Sequence, residues 1–256
     1  NIMRFSEVIG QEQVKIQLRN MVESGRISHT MLFAGPKGSG KLPLALAYAQ
    51  YLLCQNPTPE DSCGECSSCR RIAALQHPDL HLVYPVIKKK STDKPKSEDF
   101  IESFREQYLA NPYMSYMNWV DSLNAENKQA SVFVSENESI MHKLNLKSYG
   151  GSYKIFIFWM MERVNVETAN KLLKSLEEPP EKTIFLLISD QTELILPTII
   201  SRAQLIKTQV LQTSDIVKGL EQKCNIPASQ AELYATFAGG DFNKALQLFN
   251  NADDLH

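Results

Sequence analysis

Nowhere does the chain reach the roughly 18 consecutive apolar residues that a membrane-spanning helix needs, so no span is expected. The amino-terminal Asn1-Ile-Met-Arg-Phe5 lacks the apolar segment of a secretory signal, and Met3 reads as the natural start. The compartment expected from these absences is the cytoplasm. An excess of one charge is missing too: 27 Lys and Arg against 29 Asp and Glu leave a net charge of −2. That excludes a globally basic, histone-like protein but leaves room for a local nucleic-acid surface. Cysteine is scarce, five in 256 residues, and in a reducing compartment metal binding or burial is expected before disulfides. No internal repeat is visible. Hydrophobic residues at 43% and charged residues at 22% exclude wholesale disorder.

What is there reads as an α/β protein. Residues 5 to about 30 begin with an amphipathic helical pattern carrying Val14, Ile16, Leu18 and Met21. His29-Thr-Met-Leu-Phe-Ala34 is an apolar run ending at Gly35, and Leu42 to Cys54 follows at helical spacing. Pro43 is compatible with that helix, because a first turn has no hydrogen-bonded N–H to lose. A second unit starts at Lys154. Ile155-Phe-Ile-Phe158 predicts a strand covered on both faces, and a helix from about Asn165 carries Ala169, Leu172, Leu173 and Leu176 until Pro179 and Pro180 stop it. Thr183-Ile-Phe-Leu-Leu-Ile188 predicts a third strand and Leu205-Ile206 a fourth. Strands alternating with helices imply a parallel sheet flanked by helices, and the purely helical pattern from Thr208 onward implies a small all-α segment. The predicted division is 1–207 and 208–256.

Gly35-Pro-Lys-Gly-Ser-Gly40-Lys41 matches G-x-x-x-x-G-K between a strand and a helix, the context a phosphate loop requires. Gly35, Gly38 and Gly40 would let backbone N–H groups curl around a phosphate, and Lys41 would neutralise its charge. Two things are absent. Leu42 stands where a Mg²⁺-ligating hydroxyl belongs, and Trp159 and Met160 stand where carboxylates should follow the strand Ile155–Phe158. Glu162 is the nearest acid. Without a bound Mg²⁺ the charge developed in phosphoryl transfer is left uncompensated, so no intrinsic hydrolysis is predicted and nucleotide binding is expected to be weak or absent.

Cys54, Cys63, Cys66 and Cys69 form C-x8-C-x2-C-x2-C. Two overlapping C-x2-C turns converge three thiolates and Cys54 supplies a fourth, which suits a closed, structural Cys₄ zinc site spanning about residues 54–75. Such a site supplies about 10–16 kcal/mol of apparent binding energy, ample to order a short loop. His77 and His81 are left out because four sulfurs complete the shell, and Cys224 reads as a buried thiol. An insertion then covers about residues 88–138. Its basic start, Lys88-Lys-Lys-Ser-Thr-Asp-Lys-Pro-Lys-Ser97, reads as a mobile, solvated loop before it reads as a phosphate contact. Phe100, Phe104, Tyr108, Tyr113, Tyr116 and Trp119 read as a small core of the insertion before they read as base-stacking residues.

Six segments occur in order: Phe5-Ser-Glu-Val-Ile-Gly-Gln11, the loop around Lys41, the four cysteines, His77-Pro-Asp-Leu80, Ala169-Asn-Lys-Leu-Leu-Lys-Ser-Leu-Glu-Glu-Pro-Pro180 and Leu196-Pro-Thr-Ile-Ile-Ser-Arg202. Together they resemble the AAA+ subunits of the bacterial DNA polymerase III clamp loader, over residues 3–88 and about 139–250. The resemblance implies a P-loop AAA+ sheet with an inserted zinc module and a helical lid. It implies partners as well: γ/τ and δ subunits, and through the assembly a sliding clamp and primer-template DNA.

That family contains hydrolysing γ/τ subunits and a δ′ subunit that has lost hydrolysis. Leu42, Trp159 and Met160 place this chain with the δ′ branch, whose members are similar to a fixed stator. Ser201-Arg202-Ala203 matches the family's Ser-Arg-Cys motif, so Arg202 is the expected trans-acting arginine for a neighbouring ATPase; Ala203 in place of Cys leaves the guanidinium untouched. Ser189-Asp190 lies at the first sensor position. Gly240-Asp-Phe-Asn-Lys-Ala-Leu246 resembles the second-sensor helix with Asn243 or Lys244 in place of its arginine. The family's third, collar domain has no room in 256 residues, which is read as truncation. Two alternatives remain open at the level of sequence: an active γ/τ-like ATPase using Glu162, and a free-standing zinc-containing nucleic-acid-binding module.

Overall fold

The computed structural model describes residues 3–124 and 129–253; residues 1–2, 125–128 and 254–256 lie outside the described residues. Five strands, β1 (Thr30–Ala34), β2 (Leu80–Val83), β3 (Lys154–Trp159), β4 (Thr183–Ser189) and β5 (Gln204–Lys207), form one sheet in the order β2-β3-β4-β1-β5. Every pairing is parallel. Each residue of β1, β3 and β4 is buried, which is why these strands read as unbroken apolar runs rather than as alternation. The register pairs Ala34 with Ser189 and Trp159 with Ile188. The carboxyl ends of the three central strands therefore meet at one edge, where open α/β sheets place their ligands.

The helices are α1 (Glu12–Glu23), α2 (Lys41–Leu53), α3 (Ser67–Ala73), α4 (Ile101–Ala110), α5 (Tyr116–Ser122), α6 (Glu136–Asn145), α7 (Val166–Glu177), α8 (Pro197–Ile200), α9 (Thr213–Cys224), α10 (Ala228–Ala238) and α11 (Phe242–Asp253). All of α2 is buried, as befits the helix that leaves the phosphate loop beneath the sheet's other layers. The side chain of Asn165 caps α7 by accepting from the Glu167 N–H at 2.9 Å, and the helix stops ahead of Pro179. No helix among the described residues is long and apolar enough to cross a membrane.

Three elements differ from the sequence reading. The amino-terminal helix starts at Glu12 rather than near residue 5, because left-handed backbone at Gly10 and Gln11 separates it from a single 3-10 turn at Phe5–Glu7. Strand β2 was not predicted: it is four residues long at the sheet edge, with only Leu80 and Val83 buried, too little pattern to read. The insertion does not keep its aromatics to itself. Tyr84 stacks on Phe104 at 4.0 Å, Trp119 meets both edge-on, and Phe104 reaches Trp159 of β3 at 5.7 Å. The Trp119 indole N–H donates to the Pro85 carbonyl at 2.7 Å. These rings belong to the central core; among the described residues, Ile87, Val120 and Ala130 make a separate small cluster on which Phe100 and Tyr116 also pack.

The basic start of the insertion is tied down as well. Asp93 accepts from the Lys89 and Lys90 N–H groups, and buried Ser97 donates its N–H to Glu136. α9, α10 and α11 pack on one another around Ile216, Leu220, Ala231, Ala235 and Phe242. Ile9 and Tyr113, from the two other parts of the chain, join that cluster.

Candidate nucleotide cleft and metal centre

The phosphate loop joins β1 to α2 at the ligand edge of the sheet. Gly38 and Gly40 sit at φ of +72° and +97°, where glycine is favoured, so the loop has the backbone turns its sequence predicts. What approaches it is protein. A Cβ on Gly38 would stand 1.7 Å from an Asp241 carboxylate oxygen, and one on Gly40 would stand 3.1 Å from the Tyr113 ring. Gly35 is equally close to Thr208, whose hydroxyl shares a 2.7 Å hydrogen bond with Ser39.

Lys41 is turned inward. Its Nζ donates to the carbonyls of Gly35 and Pro36 and pairs with Asp190 Oδ1 at 2.7 Å; the two side chains are 4% and 9% exposed. Glycines and Lys41 thus converge as the motif requires, but the lysine's charge is satisfied inside the protein. The space they enclose with Pro112, Tyr113, Trp159 and Met160 is about 30 Å³, against about 300–1,000 Å³ for a small-molecule pocket. Leu42, Trp159 and Met160 are buried and contribute no oxygen ligand there. Glu162 is already employed: its Oε2 accepts from the Asp190 and Gln191 N–H groups, each at 3.0 Å, and burial raises its carboxyl above the usual range.

Three contributors to this arrangement were not singled out from sequence. By sequence Asp190 lies at a sensor position, and nothing in the local pattern pairs it with Lys41. Tyr113 was one aromatic among several, and Asp241 lay in the sensor-like helix without a role. Their only sequence signals were a carboxylate directly after the apolar β4 run and a glycine pair before Asp241.

The four cysteines come together as the spacing predicts. One sulfur from each of Cys54, Cys63, Cys66 and Cys69 lies within 4.8 Å of the others. Cys54 is supplied by the end of α2, Cys63 and Cys66 by a turn containing Gly64 at φ +73°, and Cys69 by α3. Backbone N–H groups surround the sulfurs: Cys63 and Asn56 donate to Cys54, Glu65 and Cys66 to Cys63, and Cys69 to Cys66. Two such N–H groups bring the Cys63 thiol down to about 6, whereas burial raises Cys54 and Cys69. The set can bind one metal ion, because a divalent cation is what lets four thiolates share so small a space. His77 instead accepts from the Asp79 N–H, and His81 packs on Phe156; neither belongs to the cluster.

Arg202 follows α8 and is about one-third exposed. It donates from Nη1 to the Thr198 carbonyl at 2.6 Å and lies 3.6 Å from the Glu177 carboxylate. Glu177 is well exposed, so this pair is a weak tether at the end of α7.

The parallel sheet, the loop after β1 and the helices beyond β5 define a P-loop fold of the AAA+ type, with the space beside the loop narrowed by protein side chains. Comparison with known proteins identifies the family: residues 10–212 match DNA polymerase III, delta subunit, and the chain belongs to that family. The chain is 31% identical over 241 residues to DNA polymerase III subunit delta' of Bacillus subtilis, covering 94% of this chain and 60% of the relative. It is 26% identical to subunit tau of the same organism, over 97% of this chain and 38% of that one. It thus spans less than two thirds of the length of both relatives. Among solved structures, the Holliday junction branch migration motor RuvB of Thermotoga maritima matches with a TM-score of 0.53 at 15% identity, over 98% of this chain and 64% of that one, a likeness of fold. The likeness to both delta' and tau subunits of DNA polymerase III runs over nearly the whole of this chain.

Proposed function

We propose that this chain is the δ′-like, non-hydrolysing stator of a bacterial replicative clamp loader, acting in the cytoplasm beside γ/τ and δ subunits to help place a sliding clamp on primer-template DNA. The observation that carries the reading is the narrowed cleft, in which Lys41 pairs with Asp190 and the cavity is only about 30 Å³. A nucleotide would have to break a buried ion pair and displace Tyr113 before reaching the loop. Even then, Leu42, Trp159 and Met160 offer Mg²⁺ no ligand. The γ/τ-like alternative needs Glu162 as its carboxylate, and that group is held by two backbone N–H groups.

In this reading residues 1–207 form the P-loop domain and 208–256 the lid. Zinc is the ion proposed for the cysteine centre, where four thiolates leave no open position and the metal's contribution is to hold the 54–75 segment together. Arg202 is the group offered in trans: it is partly exposed and anchored by a surface pair that a neighbour's phosphate would readily outcompete.

The test has two arms. The isolated chain should show no thermal stabilisation and no phosphate release at millimolar MgATP, since stabilisation by a bound ligand scales as RT ln(1 + [L]/Kd). In an assembly reconstituted with an ATP-hydrolysing γ/τ subunit, Arg202→Ala should lower the partner's turnover by a large factor; arginine fingers elsewhere are worth roughly 10³–10⁵. Saturable stabilisation with turnover by the isolated chain would overturn the non-hydrolysing reading, and unchanged partner turnover would overturn the role of Arg202.

A further inference from the structure

The insertion places its α4–α5 turn directly over the phosphate loop, and the contacts it makes run to both sides of the cleft. On the side of the phosphate loop, the Tyr113 ring covers Gly40, and its hydroxyl accepts from the backbone N–H of Ile9, ahead of α1, at 3.0 Å. On the helical side, the same ring meets Phe242 edge-on at 4.8 Å, and Lys223 of α9 lies over it at 5.0 Å. Tyr113 is 3% exposed. It is a core residue shared between two parts of the chain that are distant in sequence.

A polar chain runs beside it. Asn111 donates from Nδ2 to Asn243 Oδ1 at 2.7 Å, and Asn243 donates from Nδ2 to Asn118 Oδ1 at 2.9 Å. Asn111 Oδ1 accepts from the Tyr113 N–H, and Asn118 Oδ1 also accepts from the Ser115 N–H, so the turn is itself braced. Asn243 is buried, and both of its side-chain partners belong to the insertion. A buried amide left without these partners would cost stability, so the docked geometry of α11 is specified by hydrogen bonds as well as by ring packing. The start of α11 also touches the loop directly, through the Phe242 N–H donating to the Gly38 carbonyl at 3.0 Å.

We infer that residues 111–118 are a built-in ligand: they occupy the closed nucleotide cleft and latch the C-terminal helices to the P-loop sheet, so that the angle between them is set without nucleotide. The inference rests on the reading that this cleft holds no nucleotide, and it adds what holds it shut. A subunit latched in this way presents one fixed surface to its neighbours through every cycle of their hydrolysis. The insertion thereby has a function of its own, as an internal clamp that takes the place of a bound ligand.

Hydrogen–deuterium exchange on the whole chain, without nucleotide, tests it. Tyr113→Ala should make the amides of α9 to α11 exchange at least about tenfold faster, while the buried amides of β1, β3 and β4 keep their protection. Asn243→Ala removes only the bridge between the two asparagines, and should raise exchange in α11 by a smaller factor with the fold intact. It therefore decides the matter if the tyrosine variant is globally loosened. Unchanged protection of α9 to α11 in Asn243→Ala, together with unchanged or uniformly lost protection in Tyr113→Ala, would overturn the latch. The reading of the cleft fails by a different signal, MgATP-dependent protection of the phosphate loop in the unsubstituted protein, so the two failures are separable.

Discussion

Replacing Lys41 by methionine separates a structural lysine from a phosphate-binding one. In an open phosphate loop the ammonium faces solvent until nucleotide arrives, and its loss would change the stability of the empty protein by no more than an ordinary surface substitution, within about 0.5 kcal/mol. Here Nζ serves three acceptors, the Gly35 and Pro36 carbonyls and Asp190, in a pair whose side chains are 4% and 9% exposed. Lys41→Met keeps the length of the side chain but strands the Asp190 carboxylate, and breaking one side of a buried pair costs about 3–5 kcal/mol. For a chain of this size each kcal/mol moves the midpoint by about 2–4 °C, so Tm should fall by at least about 6 °C. Calorimetry at neutral pH in low and high salt is the assay. The drop should survive high salt, because a buried pair is poorly screened. Converting Asp190 to leucine in the same chain should recover much of the loss, since an apolar replacement of both partners is often neutral. A Lys41→Met midpoint within about 2 °C of the unsubstituted protein would refute the reasoning and return Lys41 to the role its motif suggests.

The cysteine centre should yield one zinc per chain by elemental analysis. Cys66→Ser or a strong chelator should release it and raise proteolysis within 54–75 while leaving the sheet folded; full occupancy after Cys66→Ser would argue against the four-sulfur site. His81 gives a pH signature. Burial, reinforced by Lys143 and Lys154, lowers its imidazole to about 4, so the folded protein resists a proton that the unfolded chain accepts near 6.5. The neutral ring's contribution is therefore complete above about pH 6.5 and is lost as pH falls toward 4, by roughly 2 kcal/mol at pH 5. Urea midpoints at pH 7.5 and 5.0 should drop less in His81→Leu than in the unsubstituted protein, and equal drops would contradict the assignment.

The sheet was legible because its strands are covered on both faces. Ile155–Phe158 and Thr183–Ile188 cannot be solvated loops, and Pro179 and Pro180 leave α7 no way to continue. Edge strand β2 carries no such signal, being short and half-exposed with His81 in its middle. The start of α1 departs from the helical spacing for a local reason, the left-handed backbone at Gly10 and Gln11.

The four sulfurs and the phosphate loop could be read from spacing alone, because each set lies on one short continuous stretch of chain, residues 54–69 and 35–41. The same sequence showed what was missing: a hydroxyl at 42 and carboxylates at 159 and 160. What fills the vacancy could not be read. Asp190 comes to Lys41 across 149 positions through the pairing of β1 with β4, and Asn111 and Asn243 meet although 132 positions separate them. Local sequence determines which atoms a loop can offer. Only the closing of the sheet, the insertion and the C-terminal helices on one another decides which of those atoms remain available, because burial and partner choice are properties of the whole packed chain.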